Sequence, residues 1–271
     1  MAQLRPRIDR GLLVNRAAQS VPISVIALVI LTTLIAGKVL VPRFMMHHVR
    51  LANAPDRPRA FGRDMAWLAI RTEDSEAVAD ALGLTGLRPA NWSSGIGAIY
   101  DPEISAGLLF ISPPVRGWTI VAGESLPVPA GAPFLDKATP LLKHLGRRFQ
   151  SVQYFASFPI IDFFAWARMD EGLLKRAFAI GEPGIVWQLG KITPEERRLG
   201  LVYVEVRGIA DRHGDLGGQL LLHPTEENVF AVASGWSFDP MALEDFAHDP
   251  GVGWIADAPR SWRPERARKV A

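Results

Sequence analysis

The sequence predicts an α+β protein in which an N-terminal single transmembrane helix precedes a globular domain with a mainly antiparallel sheet and a few packed helices. Two observations favour this fold class. Residues 17–37 carry no charged side chain, and as a helix they would span roughly 30 Å, the thickness of the hydrocarbon core of a bilayer. Residues 150–190 instead alternate short apolar runs with turn sequences, the pattern of an antiparallel meander.

Composition and charge divide the chain further. The predicted segments are a basic tail, a transmembrane anchor, a juxtamembrane segment with a linker, an α+β domain and a basic C-terminal tail, at residues 1–16, 17–40, 41–63, 64–250 and 251–271. This organisation predicts a single-pass membrane protein, with the lipid bilayer and a protein at the membrane as partners. Basic residues on both flanks of the anchor leave the side of the domain open. A cleaved signal peptide and a buried soluble helix are the alternatives for residues 17–37.

The bulk composition excludes several functional classes. The 271 residues have a formal net charge of only +2, which gives no electrostatic case for nucleic-acid binding. Cysteine is absent, so disulfides, thiolate zinc sites and cysteine nucleophiles are excluded. No sequence motif points to a cofactor or a bound metal, and none is expected.

The first half of the domain predicts short elements. A strand at residues 67–71 leads into a helix that Asp74 or Ser75 caps and Gly83 ends. Residues 98–100 are expected to form a strand, so the preceding Gly95-Ile-Gly97 lacks the following helix that a dinucleotide loop requires. A hairpin joins residues 108–112 to residues 118–122.

The second half is dominated by the meander. A helix within residues 134–149 leads into four strands, at 152–158, 160–168, 173–180 and 185–189. Thr193-Pro-Glu-Glu196 then has the pattern of a capping box with proline at the first helical position. A further strand at 201–206 and helices beginning at Thr225 and Asp239 complete the prediction.

One meander strand carries the candidate binding residues, which are Asp162, Trp166, Arg168 and Asp170. Alternation along a strand at 160–168 places Asp162, Trp166 and Arg168 on the same face, and Asp170 follows in the turn. The cluster is either a buried Asp–Arg pair that supports the sheet or a ligand site.

Two histidine clusters are weaker candidates. His213 lies between Asp211 and Asp215 in a glycine-rich loop, where a metal or general-base site would need a rigid setting. His47 and His48 are adjacent, and on a helix they would point about 100° apart. No serine stands in a nucleophile elbow. The sequence therefore predicts no catalytic residue.

Five stretches together resemble a group of uncharacterised bacterial proteins. They are WTIVAG at 118–123, FQSVQYF at 149–155, AWAR at 165–168, TPEERRLG at 193–200 and ASGWSFDP at 233–240. The resemblance covers residues 67–245 and implies a shared α+β fold with no established activity. Together with the predicted span, it implies a location in the bacterial inner membrane. It also implies that the polar residues these proteins carry on the strand matching 157–166 have been lost here, where Asp162 is the only charge.

These observations favour a membrane-anchored, non-catalytic binding or interaction module. The first alternative is a subunit or assembly factor of a larger membrane complex, in which the span is itself a contact surface. The second is a hydrolase that uses carboxylates with His213 or His223.

Overall fold

The structure, a computed structural model, describes residues 51–129, 136–182, 184–201, 224–245 and 249–262. They belong to the second of two units of the chain, Arg50–Ala271, the first being Met1–Val49. Several predicted features lie outside the described residues: the span at 17–40, the His47–His48 pair, the cluster around His213, His223, and all but the first residue of the strand at 201–206.

One antiparallel sheet of nine strands organises the described residues. The strands are β1 (Met65–Ile70), β2 (Thr85–Asn91), β3 (Leu108–Ile111), β4 (Thr119–Ala122), β5 (Ser151–Phe158), β6 (Phe163–Asp170), β7 (Leu173–Gly181), β8 (Gly184–Leu189) and β9 (Val252–Asp257). Their order is β2-β9-β3-β4-β1-β5-β6-β7-β8. The meander β5–β8 therefore forms one half of the sheet, and β8 lies at its edge.

Short helices cover both faces of this sheet. The helices are α1 (Ser75–Leu82), α2 (Trp92–Tyr100), α3 (Ala138–Leu145), α4 (Pro194–Arg198) and α5 (Glu226–Trp236), with 3₁₀ turns at Pro159–Ile161, Pro240–Asp245 and Arg260–Trp262. Helices α1 and α3 pack on one face, named here the α1/α3 face. Helices α2 and α5 pack on the other, the α2/α5 face, where Trp67, Phe155, Trp166 and Phe178 form a buried row across β1, β5, β6 and β7.

The predicted fold class is wrong in its transmembrane helix. Among the helices of the described ranges, none has the length and apolar character needed to cross a bilayer. The fold that the structure supports is a nine-stranded antiparallel sheet with a few short helices. The predicted span at residues 17–40 lies outside the described residues.

The basic C-terminal tail predicted at residues 251–271 contains a strand in its described part. Val252–Asp257 forms β9, which pairs with β2 on one side and β3 on the other. Gly253 allows this insertion, because a Cβ there would clash with the backbone oxygen of Ile111 and meet Pro113 at 3.0 Å. The globular unit therefore extends beyond the predicted boundary at residue 250.

The predicted linker at 41–63 needs a similar correction for its described part. Phe61 is 2% exposed and belongs to the core on the α2/α5 face. Asp56 makes an isolated bridge with Gly251, and its carboxylate accepts hydrogen bonds from the backbone N–H of Trp92 at 2.6 Å and of Ser93 at 2.9 Å. Residues 51–63 are thus integral to the fold, where they cap α2.

Residues 98–100 form the end of α2 instead of the predicted strand. Asn91 begins this helix, because its side chain accepts a hydrogen bond from the N–H of Ser94 at 3.0 Å. Trp92, Ile96 and Ile99 recur at helical spacing and are buried. The short apolar run at the end of the helix could not be told from a strand by itself.

Three predicted helix starts are confirmed, one of them at Thr225, which directly precedes α5. Asp74 caps α1, where its carboxylate accepts from the N–H of Ala77 at 2.8 Å, and Gly83 ends the helix in the left-handed conformation. Thr193 and Glu196 form the capping box of α4 in both directions. The helix predicted from Asp239 is a 3₁₀ turn, Pro240–Asp245.

Candidate functional site

Strand β6 carries three of the four predicted site residues, Trp166, Arg168 and Asp170, and the structure does not bring the four together. Asp162 precedes the strand and Asp170 ends it, so at about 3.3 Å per residue the two carboxylates are separated by about 25 Å along the chain. Trp166 lies in the middle of β6 and is fully buried. The structure therefore divides the predicted site into a hairpin tip, a buried cluster and an ion pair at the far end.

The buried cluster joins Trp166 to two residues that no sequence pattern identifies as site residues, Arg176 and Glu196. The Trp166 indole Nε1–H donates to Glu196 Oε1 at 2.8 Å. Arg176 Nε donates to both carboxylate oxygens of Glu196, at 2.9 and 3.0 Å, and its Nη1 donates to the carbonyls of Ala177 and Leu189. The side chains of Arg176 and Glu196 are 1% and 0% exposed.

The same carboxylate fixes helix α4 to the sheet. Glu196 accepts from the N–H of Thr193 at 2.7 Å, and the Thr193 hydroxyl accepts from the N–H of Glu196 at 3.3 Å. Burial alone raises the pKa of Glu196, but the hydrogen bonds from Arg176, the Thr193 N–H and Trp166 outweigh it, so the pKa lies below its ordinary value. The cluster is charged, closed to solvent and satisfied by the protein, which is the chemistry of a structural pair.

Arg168 and Asp170 form a second ion pair at the end of β6. Arg168 Nε donates to Asp170 Oδ2 at 2.6 Å, and the Ser151 hydroxyl donates to Asp170 Oδ1 at 2.6 Å. The Asp–Arg pair expected among the candidate residues is thus formed by Arg168 and Asp170, and it is partly exposed. Asp162 does not lie on the strand, because Pro159–Ile161 forms a 3₁₀ turn and β6 begins only at Phe163.

Three buried polar atoms on the α2/α5 face have no hydrogen-bond partner among the described residues. They are Trp67 Nε1, Gln153 Oε1 and Trp236 Nε1. The Gln153 amide is held by its other end, because Nε2 donates to the Trp236 carbonyl at 3.2 Å. Phe155 stacks on Trp67 and contacts Trp236, so these groups surround the contact between α5 and the centre of the sheet.

The turn between β5 and β6 is the most exposed apolar feature of the described residues. We name residues Pro159–Ile161 the tip. Ile160 is 91% exposed and Ile161 is 64% exposed. Asp162 closes the turn in the left-handed conformation with φ 53°, and its N–H donates to the Pro159 carbonyl at 3.1 Å. Asp162 is thus a turn residue beside an apolar surface.

The hairpin that carries the tip is paired along its whole length and lies inside the sheet. Strands β5 and β6 pair without interruption from Ser151–Asp170 to Phe158–Phe163. Phe158 and Phe163 lie directly below the tip, with their ring centroids 6.3 Å apart. Because both strands are central in the sheet, the tip is a fixed protrusion.

Acidic side chains lie on either side of the tip. Asp162 follows it, and the exposed Asp64 precedes Met65, which pairs with Ser157 near the end of β5. Arg63, which precedes Asp64, is paired with the buried Glu226, which also accepts from the Ser157 hydroxyl at 2.8 Å. The described surface around the tip is therefore apolar at its centre with a carboxylate on each side.

Neither a family model nor a curated protein nor a solved structure matches this chain. The resemblance to bacterial α+β proteins thus stays a prediction from the sequence.

Proposed function

We propose that this protein is a non-catalytic binding module and that its partner is another protein, which receives the tip in an apolar pocket. The observation that carries the proposal is the exposure of Ile160 and Ile161 at the end of a rigid hairpin. Adjacent exposed apolar side chains on a fixed protrusion are typical of interaction sites. A preformed hairpin also avoids the entropy cost of ordering a loop on binding.

The charges around the tip favour a protein over a lipid surface. Insertion into an anionic bilayer is helped by basic residues beside the apolar group. Here Asp64 and Asp162 flank the tip, and Arg63 is paired with Glu226. The carboxylates instead suit a partner pocket whose rim is basic, since complementary charges orient an encounter.

The buried cluster supports a scaffold role for the rest of the sheet. Trp166, Arg176 and Glu196 satisfy one another away from solvent, so they hold α4 and β7 in place. Action at the bacterial inner membrane, and the alternative of a subunit or assembly factor there, stay predictions from the sequence. The hydrolase alternative depends on His213 and His223, which lie outside the described residues.

Site-specific photo-crosslinking in cells tests the proposal. A photoreactive amino acid at position 160 should give one discrete protein adduct, and the same group at position 173 should not. Leu173 is the matched control, because it is also an exposed apolar residue of a hairpin, 60% exposed, at the opposite end of the same sheet.

The captured partner is then purified and its affinity measured. The double variant Ile160→Ser/Ile161→Ser should raise the Kd at least about 10-fold, since burying an isoleucine contributes about 1.5–3 kcal/mol. Leu173→Ser should leave the Kd unchanged, and both variants should keep the melting temperature of the native chain. An equal effect of Leu173→Ser, or binding of the tip to anionic lipid vesicles in place of a protein, would overturn the proposal.

A further inference from the structure

The tip is too small to bind a protein partner by itself. Specific protein–protein interfaces use about 20–30 residues on each side, and their energetically dominant side chains are surrounded by contacts that exclude water. A partner that receives the exposed Ile160 and Ile161 therefore also covers the connections beside the tip. The charges of these connections determine which kind of partner surface can bind there.

Two connections flank the hairpin of the tip within the sheet. On one side, Asp64 directly precedes β1, whose first residue, Met65, pairs with Ser157 of β5. On the other side, Glu182 lies in the β7–β8 turn. Because β7 runs antiparallel to β6, this turn lies at the end of the sheet that carries the tip. Strands β1, β5, β6 and β7 are adjacent, and three spacings of about 4.8 Å separate the outer two by about 14 Å.

Both flanking carboxylates are available to a partner. Asp64 and Glu182 are exposed, and neither takes part in an ion pair within the described ranges. Asp162 adds a third carboxylate directly after the tip. In the sequences 63–65, 158–163 and 180–184 the only basic residue is Arg63, which is paired with Glu226. These connections therefore make the surroundings of the tip negatively charged.

We infer that the docking surface extends from the tip to Asp64 on one side and to the β7–β8 turn with Glu182 on the other, and that it binds a basic protein surface. The inference rests on the proposed function, because it requires a protein that receives the tip. Covering these carboxylates with uncharged groups would cost desolvation free energy without compensation. Lysine or arginine side chains on both sides of the partner's pocket offset that cost through charge-assisted hydrogen bonds.

The carboxylates and the tip contribute to different steps of binding. Exposed charges at the rim of an interface act mainly on the association rate constant, because they attract an oppositely charged partner before contact. Apolar anchors that are buried in a pocket act mainly on the dissociation rate constant. Kinetics therefore separate the two contributions.

Binding kinetics with the purified partner, captured through position 160, test the inference. The double variant Asp64→Asn/Glu182→Gln should lower the association rate constant at least about 5-fold at low salt, with less than about a 2-fold change in the dissociation rate constant. The difference should disappear at about 1 M salt, where the screening length falls to about 3 Å. Asparagine suits position 64, because the backbone there is left-handed with φ 48°.

Glu171→Gln is the matched control, because Glu171 is an exposed carboxylate in the β6–β7 turn at the opposite end of the same sheet. It should bind with the kinetics of the native chain.

Three results would overturn the inference. Association of the double variant at the native rate at every salt concentration, or an equal effect of Glu171→Gln, would show that the flanking carboxylates do not face the partner. Faster association of the double variant would show that the partner is acidic. In each case a raised Kd of Ile160→Ser/Ile161→Ser would leave the proposed function in place. The absence of any protein adduct at position 160 would instead overturn the proposed function and this inference together.

Discussion

Arg168 and Arg176 lie directly opposite each other on β6 and β7, yet their surroundings differ. The Arg168 side chain is 37% exposed and pairs with Asp170 at the end of the strand. The Arg176 side chain is enclosed, and Glu196 and two backbone carbonyls accept its hydrogen bonds. The two positions offer a direct comparison of a partly exposed and a buried guanidinium in one register.

The first prediction uses this comparison. Arg176→Gln should lower the free energy of unfolding by about 3–5 kcal/mol, because it leaves the Glu196 carboxylate buried without its cation. Arg168→Gln should lower it by less than about 1 kcal/mol, as is typical of partly exposed pairs. Urea unfolding followed by tryptophan fluorescence measures both. Equal losses at the two positions would show that burial does not control the cost.

The second prediction concerns the pH dependence of stability. The pKa of Glu196 is lower in the folded protein than its ordinary value of 4.5, which applies to the unfolded chain. The unfolded state therefore binds a proton first as the pH falls. The ionised carboxylate contributes full stability above pH 4.5, and this contribution is lost as the pH falls through the lowered folded pKa.

Glu196→Gln removes this titration and gives the experiment. The variant should be about 3–5 kcal/mol less stable than the native chain at neutral pH. The difference in unfolding free energy between the two proteins should become smaller in acid. Unfolding free energies of both proteins from about pH 7 to about pH 3 measure it. A gap that stays constant or widens on acidification would contradict the assigned direction of the pKa.

The third prediction compares two glycines of α2. A Cβ at Gly95 would clash with the ring of Phe110, whereas a Cβ at Gly97 would meet no atom within 4 Å. Gly95→Ala should therefore destabilise the protein by about 1–3 kcal/mol through overpacking. Gly97→Ala should stabilise it by up to about 1 kcal/mol, because alanine favours the helix. Thermal unfolding of the two variants should give shifts of opposite sign.

Local chemistry explains what the sequence could predict of this fold. Asp74 caps the start of α1 and Gly83 ends it, and Thr193 with Glu196 caps the start of α4, through contacts within a few residues of each other. Such signals can be recognised from residues that are neighbours in the sequence. The buried partners of Glu196 cannot be recognised in this way, because Trp166 and Arg176 precede it by 30 and 20 residues. The sequence therefore identified the capping box without identifying the buried cluster it belongs to.

The errors at the candidate site have a similar origin. Asp162 was placed on a strand with Arg168 because Ile160 and Ile161 extend the apolar run. In the structure both isoleucines lie in the exposed turn instead. An apolar pattern alone does not distinguish a buried strand from an exposed apolar tip, and the pairing of Phe158 with Phe163, which defines the turn, depends on the whole hairpin.

The last prediction tests whether β9 is part of the sheet. Gly253 belongs to β9, which lies between β2 and β3, and a Cβ at this position would clash with the Ile111 carbonyl. Gly253→Ala should displace β9 from β3 and lower the free energy of unfolding by about 1–3 kcal/mol. Hydrogen exchange of the β9 amides should also accelerate. Gly97→Ala is the control, since it introduces the same methyl group without a clash. If residues 252–257 were a frayed tail, Gly253→Ala would change neither the stability nor the exchange.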